Sequence, residues 1–254
     1  MSNFSPLYLT YIRTSTVLLQ FESTTILTDP WFSWRMRFLP ALRRPGIMAA
    51  DIPTPDLILC SHLHADHYDR RFIAAAGQPQ TTLVGPVGLA RHRPRRFRGK
   101  LLEMAPGQLE SVGAVALEAA AMKHTFPGPE EIGFRIQLGP YSLFFGGDAA
   151  YSEAFSMVAG PIHIAILPVG GSRIWGRKTV MDAADASQAA QDMSAHYVVP
   201  THPGGDWPAL PPMSLHPGRL ADLGAHAAGF EPVILGPGQR ARFNSIDGGL
   251  ERAD

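Results

Sequence analysis

From Ser61 to Asp69 the chain reads Ser-His-Leu-His-Ala-Asp-His-Tyr-Asp, which places three imidazoles and a carboxylate within six consecutive positions, 62 to 67. A solvated polar loop is the plain reading of such a run. Four good ligands this crowded would repel one another once protonated, however, and they gain from proximity only if a cation holds them. Metal binding is therefore the chemistry these residue types suggest. The flanking sequence says what must position them. Leu57–Cys60 is apolar and reads as a buried strand, and Asp69 to Ala76 before Gly77 reads as a short helix, so the cluster lies on a strand-to-helix turn. Sheet folds build sites at such turns. If the chain stays extended from 62 to 66, the period of two turns His62, His64 and Asp66 to one side while His67 swings off as the helix begins. Two neighbouring metal positions would use that divergence.

Other candidates recur at the ends of apolar stretches. Thr25–Thr28 closes an opening meander with Leu7–Ile12 and Val17–Phe21, and it leaves Asp29-Pro30 at its end, either a turn-initiating aspartate or a carboxylate near the site. The alternating Val112–Ala121 region leads to His124, ahead of Pro127-Gly128. Tyr141–Phe145 delivers Gly146-Gly147-Asp148, where two glycines let the backbone come close and aim one carboxylate outward. A carboxylate can bind one ion through each oxygen, which an imidazole cannot do. Tyr197–Pro200 presents His202 ahead of Gly204-Gly205, and the proline-rich loop from Asp206 to His216 is expected to border the site.

The His-x-His-x-Asp-His pattern resembles that of the metallo-β-lactamase-fold hydrolases. The later segments resemble their ascorbate-phosphate-lactonase-like and N-acyl-phosphatidylethanolamine phospholipase D-like branch, over about Leu7 to Phe243. The resemblance implies an α/β fold, a four-layer αββα sandwich forming one domain over 1–254, in which two mixed sheets pack face to face with helices outside. Residue by residue it implies His62, His64 and His124 on one metal, Asp66, His67 and His202 on the other, and Asp148 between them, with Asp29 behind the ligands. Two divalent ions about 3.5–4 Å apart would share a water and lower its pKa to about 7, giving a hydroxide that attacks a phosphodiester, lactone or amide. Asp66 would orient that nucleophile as well as ligate, as the catalytic carboxylate. Zinc is the first expectation, with manganese or iron as alternatives. Iron redox chemistry on the same fold and a metal-binding relative without catalysis are the alternative functions. Relatives usually carry Gly-His where this chain has Arg13-Thr14.

Substrate contacts are less marked. In Ser172–Lys178, Arg173 and Lys178 could hold phosphate oxygens of an anionic small molecule, or could be ordinary surface charge. Trp31 to Pro55 mixes aromatics, four arginines and four prolines and reads as a long irregular loop. It either packs over the sheet edge, the plainer expectation, or borders the site and grips an anionic, partly greasy substrate or a lipid surface. Asp182, with Asp185, caps an alanine-rich helix from Ala183 to Met193. A second helix is expected over 220–228, and the last residues, 247–254, are expected to fray.

Composition sets the frame. With 254 residues, 45% of them apolar, the chain can bury a sizeable core. Lysine plus arginine equals aspartate plus glutamate at 22 each, so no global field draws it to nucleic acid. Arg91 to Lys100 holds six basic residues in ten but only Phe97 to stack a base, so it reads as a solvated face, and no nucleic-acid partner is expected. The lone Cys60 excludes an intrachain disulfide and reads as an inert buried thiol. No apolar run is long enough for a transmembrane segment and no signal region precedes the fold, so a cytoplasmic protein is expected, its oligomeric state left open.

Overall fold

The computed structural model describes residues 5–123, 131–158, 160–208, 210–211, 213–214, 222–223, 229–244 and 249–253. In chain order the strands are β1 (Leu7–Arg13), β2 (Thr16–Phe21), β3 (Thr24–Thr28), β4 (Arg35–Met36), β5 (Leu39–Pro40), β6 (Leu57–Leu59), β7 (Thr82–Pro86), β8 (Lys100–Met104), β9 (Leu109–Val112) and β10 (Val115–Met122). They continue as β11 (Glu131–Leu138), β12 (Tyr141–Phe145), β13 (Ile164–Pro168), β14 (Arg173–Ile174), β15 (Arg177–Lys178), β16 (Tyr197–Thr201), β17 (Met213–Ser214), β18 (Glu231–Pro232), β19 (Arg240–Phe243) and β20 (Leu250–Ala253). The α-helices given in full by the described residues are α1 (Arg70–Ala76) and α2 (Ala183–Asp192).

One sheet has the order β20-β19-β1-β2-β3-β6-β7-β8 and the other β18-β16-β13-β12-β11-β10-β9. Both are mixed: the β1–β3 meander is antiparallel, whereas β3, β6, β7 and β8 run parallel, as do β12, β13, β16 and β18. The strand period of two sorts side chains between layers. Leu57 and Leu59 join the cluster between the sheets, while Ile58 and Cys60 face Phe72 and Ile73 of α1. Ile164 and Ile166 point inward too, and Ala165 and Leu167 pack against Ala183, Ala186, Ala189 and Ala190 of α2. The result is the αββα sandwich of the metallo-β-lactamase fold.

Each helix starts at an expected cap. Asp69 accepts from the N–H groups of Arg71 and Phe72, and Asp182 and Asp185 form a reciprocal capping box. Two expectations need correction. The strand expected over 112–121 splits at Gly113, which sits at φ 60° and turns β9 into β10. Residues 250–253, expected to fray, instead form β20 and pair with β19 from Phe243↔Leu250 to Arg240↔Ala253. Most of the helix expected over 220–228 lies outside the described residues.

Because β3 and β6 run parallel in one sheet and β12, β13 and β16 in the other, the residues that follow them leave from carboxyl ends. The two sheets meet at this edge, where the Ile132 N–H donates to the Ser61 carbonyl at 3.0 Å.

Candidate metal centre

The 61–69 stretch does not stay extended to Asp66. The N–H groups of His67 and Tyr68 both donate to the His64 carbonyl, at 3.0 and 2.8 Å, so a turn closes after His64. That turn brings His67 back beside His62, with ring centroids 4.2 Å apart, rather than swinging it away with a helix that starts only at Arg70.

Asp29 holds the turn from behind. Its carboxylate, fully buried, accepts from the Ser61 N–H at 2.7 Å, from the Ser61 hydroxyl at 2.6 Å and from His67 Nδ1 at 2.7 Å. With Nδ1 committed to Asp29, His67 keeps the lone pair of Nε2 for the interior. Asp29, His62 and His67 also bring their atoms close, but at 2.7 Å the Asp29–His67 contact is a hydrogen bond, which suits Asp29 to orienting His67 from behind.

On the other side of His67 four donor groups converge. His67 Nε2 lies 3.5 Å from Asp66 Oδ2 and 3.7 Å from Asp148 Oδ2, and His202 Nε2 lies 3.4 Å from Asp148 Oδ1 and 3.8 Å from Asp66 Oδ2. All four residues are buried, and His67 Nε2, Asp148 Oδ1 and His202 Nε2 make no hydrogen bond. Buried polar atoms left this way are costly. A tetrahedral ion with bonds of about 2.0–2.2 Å has ligand–ligand edges of about 3.3–3.6 Å. Asp66, His67 and His202, whose ligand atoms lie within 4.8 Å of one another, are close to that spacing, and Asp148 turns one oxygen to each histidine. The residues present therefore fit a divalent ion.

Electrostatics point the same way. Burial would raise the Asp66 carboxyl, but His67 and His202 beside it hold it well below the usual carboxylate range. Burial would lower His67, yet Asp66 and Asp29 lift it well above the ordinary imidazole value. His202 is likewise raised, with Asp148 overcoming burial. Asp29, Asp66, Asp148 and Glu131 are all buried around one edge, a load of negative charge that calls for positive charge between them.

His62 and His64 stand next to this group, His62 Nε2 being 2.8 Å from His64 Nδ1 and His62 Nδ1 2.9 Å from the Ser61 hydroxyl. His124 lies outside the described residues; Lys123, just before it, bridges to Ala150, two residues past Asp148.

Backbone close approach sets the remaining positions. Gly147 sits at φ 60°, and a Cβ there would come within 2.5 Å of Ser61 Cβ and 2.7 Å of Glu131 Oε1. His202 adopts φ 46°, its N–H donates to the Thr14 carbonyl at 2.7 Å, and a Cβ on Gly170 would meet its carbonyl at 2.4 Å.

Glu131 carried no sequence signal strong enough to find it, and Arg13-Thr14 stood out only as a departure from the Gly-His of the resembled family. Glu131 accepts from the Asp148 N–H at 2.6 Å and lies 3.6 Å from His62 Nδ1. Thr14 donates to Asp206 at 2.9 Å. Arg13, where the resembled family has glycine, lies over the Trp31 ring at 3.6 Å and donates to the carbonyls of Arg43, Trp31 and Ser33. Burial lowers its guanidinium to about 10.

A cavity of about 290 Å³ opens over His64, Asp66, Asp148 and His202. Its walls are largely apolar, from Phe38 and Leu39 on one side to Ile174, Val180 and Trp207 on the other. The 31–55 loop thus does more than pack over a sheet edge: Trp31 and Phe32 are buried, while residues 36–39 border the site. The expected anion contacts are placed differently. Lys178 is paired with Asp182 and Asp185 at 2.5 and 2.7 Å, Arg173 reaches the Gly176 carbonyl, and neither lines the cavity. Arg37 is the cation at its wall.

Residues 24–203 match the beta-lactamase superfamily domain. The chain belongs to that superfamily. It is 28% identical over 229 residues to a protein of Pyrococcus abyssi named a UPF0173 metal-dependent hydrolase, covering 85% of this chain and 91% of that one. Among solved structures it resembles Igni18, a metallo hydrolase of Ignicoccus hospitalis, with a TM-score of 0.72, 17% identity and coverage of 94% of this chain and 99% of that one. It also resembles CmlA, a diiron β-hydroxylase of Streptomyces venezuelae, with a TM-score of 0.68 and 16% identity, over 96% of this chain and 55% of that one. Identities this low in the structures speak to fold alone.

Proposed function

We propose that this protein is a metal-dependent hydrolase of small molecules that holds two divalent ions, zinc first, and cleaves a phosphodiester, lactone or amide. His62, His64 and His124 would hold one ion and Asp66, His67 and His202 the other, with Asp148 shared. The observation that carries this reading is the set of buried, unsatisfied donors around Asp66 and Asp148, spaced 3.4–3.8 Å apart. The metal-dependent hydrolase name of the Pyrococcus relative supports it.

Bound ions would supply Lewis-acid polarisation and a water of lowered pKa. The chain's own residues do the rest. Asp66, kept ionised far below the usual range, is a weak base and serves to orient a water by accepting its hydrogen bond. Asp29 fixes the His67 tautomer, and Trp207 packs its ring edge on His202 with centroids 5.5 Å apart, keeping water from that side. The apolar walls of the cavity favour a substrate with a hydrocarbon portion, and Arg37 favours an anionic group near the mouth.

Metal content of the purified protein and turnover of bis(p-nitrophenyl) phosphate and a lactone panel test the proposal. The expected result is about two equivalents of metal, with hydrolysis lost at least ~100-fold in His202→Ala. A second reading, iron redox chemistry, has two observations in its favour: Glu131 adds a buried carboxylate beside His62, and the fold is shared with a diiron hydroxylase. Tightly held iron with oxygen consumption and no hydrolysis would establish that reading instead.

A further inference from the structure

Nine large apolar side chains are prominently exposed among the described residues, and six of them, Trp34, Phe38, Leu42, Met48, Trp175 and Leu210, lie in the cavity wall or on segments that adjoin it. Phe38 and Leu210 line the cavity itself, and Trp175 follows Ile174, which also lines it. Leu42 donates its N–H to the Asp206 carbonyl, next to Trp207. Trp34 lines a groove of about 910 Å³ that shares Arg37 and Ala65 with the cavity, and Met48 precedes Ala49 and Ala50 on that groove's wall. Monomeric proteins rarely gather exposed apolar surface in this way without using it.

Turn geometry adds a second, independent sign. The β14–β15 hairpin closes through Trp175 and Gly176 at φ 51° and 75°, a two-residue turn that ordinarily takes Asn-Gly. Here the position holds a tryptophan that is 81% exposed. The β4–β5 hairpin likewise puts Arg37 at φ 55°, where glycine is usual, and presents Phe38 beside it at 75% exposure. Bulky side chains held in strained turns without packing in return are explained by something outside the chain.

Charge says what that is. From Trp31 to Ala50 there are four arginines and no acid, and Ser172 to Lys178 adds Arg173 and Arg177, again with no acid. Arg35, Arg37, Arg44 and Arg177 are exposed and make no ion pair among the described residues. Arg43 reaches Asp206 only at 3.9 Å while half exposed. Asp51, exposed just past Ala50, and the buried Asp206 offset part of this, and in a chain of zero formal net charge the exposed arginines still leave these segments with an excess of positive charge. Aromatic tips amid arginines match the headgroup layer of an anionic bilayer, where rings lie at the interface and arginines meet phosphates.

We infer that the two hairpin tips and the 31–50 segment dock the cavity mouth onto an anionic lipid surface. The docking stands whether or not the hydrolase reading holds, since it depends on no metal ligand.

Sedimentation of the full-length protein with sucrose-loaded vesicles tests it, using phosphatidylcholine alone and phosphatidylcholine with phosphatidylglycerol. Binding is expected only to the anionic vesicles and should weaken with salt. Arg35→Gln with Arg44→Gln should reduce partitioning roughly 25-fold, about fivefold per arginine. Trp34→Ser with Trp175→Ser should reduce it by roughly tenfold or more. Trp175→Gly separates docking from folding, because it relieves a strained turn: the melting temperature should hold or rise while vesicle binding falls. Absence of binding to anionic vesicles, or undiminished binding by the tryptophan variants, overturns the inference. So does a dimer in solution that the tryptophan variant dissolves, or tight binding of a single-stranded oligonucleotide with no affinity for vesicles.

Discussion

Replacing Gly147 by alanine tests whether close backbone approach builds the metal centre. The added methyl would lie 2.5 Å from Ser61 Cβ, 2.6 Å from its hydroxyl and 2.7 Å from Glu131 Oε1. Ser61 carries two donors to Asp29, and Glu131 receives the Asp148 N–H, so any shift reaches both sides of the site. The φ of 60° alone costs a non-glycine residue about 1–2 kcal/mol, and overpacking adds about 1–3 kcal/mol. Gly107→Ala is the control, since φ there is 81° and nothing lies within 4 Å of the added methyl. It should show the conformational cost alone, about 1–2 kcal/mol. Urea unfolding of both variants in the presence of a chelator should therefore place Gly147→Ala lower by about 1–3 kcal/mol, without metal linkage to confuse the comparison. Metal content after dialysis should fall in Gly147→Ala and hold in Gly107→Ala. Equal midpoints and equal metal content would refute the close-approach argument.

Asp29→Asn should weaken metal affinity about 10–100-fold in chelator competition, because the amide no longer holds the imidazole of His67 as a carboxylate does; unchanged affinity would mean Asp29 is a passive turn residue. Arg13→Met should free the 31–44 segment from three carbonyl contacts, lowering stability by about 2–4 kcal/mol and speeding tryptic cleavage after Arg37 and Arg43. Cleavage at the original rate would show that the segment is held by something else. For α2, burial acts to raise Asp182 but the hydrogen bonds from Lys178 and the Asp185 N–H prevail, holding it below its ordinary 3.8. A carboxyl depressed in the fold adds stability above its unfolded value and loses it as pH falls through the folded one. Asp182→Ala should thus cost about 1 kcal/mol at pH 7, and its gap from the parent protein should close below pH 3.8 in urea titrations.

The layered fold was legible through the resemblance that the His-x-His-x-Asp-His run carries, and the continuous apolar run Leu57, Ile58, Leu59 and Cys60 agrees with it, since a strand covered on both faces divides such a run between two layers. The centre was legible where chemistry crowds an improbable set of side chains, as at His62 to His67, or where glycines precede a carboxylate, as at Asp148. What could not be seen depends on contacts remote in sequence. Glu131 reads as one more acid in an acidic pair, and only the pairing of β11 with β12 brings it to Asp148. The turn after His64 arises from two N–H groups sharing one carbonyl, which no alternation of residue types announces. Lys178 looked available until the α2 cap claimed it, because the hairpin that aims it at Asp182 and Asp185 is only two residues long per strand. The pairing of β20 with β19 was missed because a polar, glycine-bearing tail resembles any other terminus.

The groups around Asp66 follow strands inside the two large sheets, β6 of three residues and β3, β12 and β16 of five, whereas the mouth rests on small separate ladders of two. Rigidity and variability are thereby assigned to different parts of one molecule. If the proposed function holds, exchanging the 31–50 and 172–180 segments between homologous scaffolds should change selectivity and leave metal content as it is. Laboratory evolution directed at those segments alone would then alter the clientele of an unchanged centre.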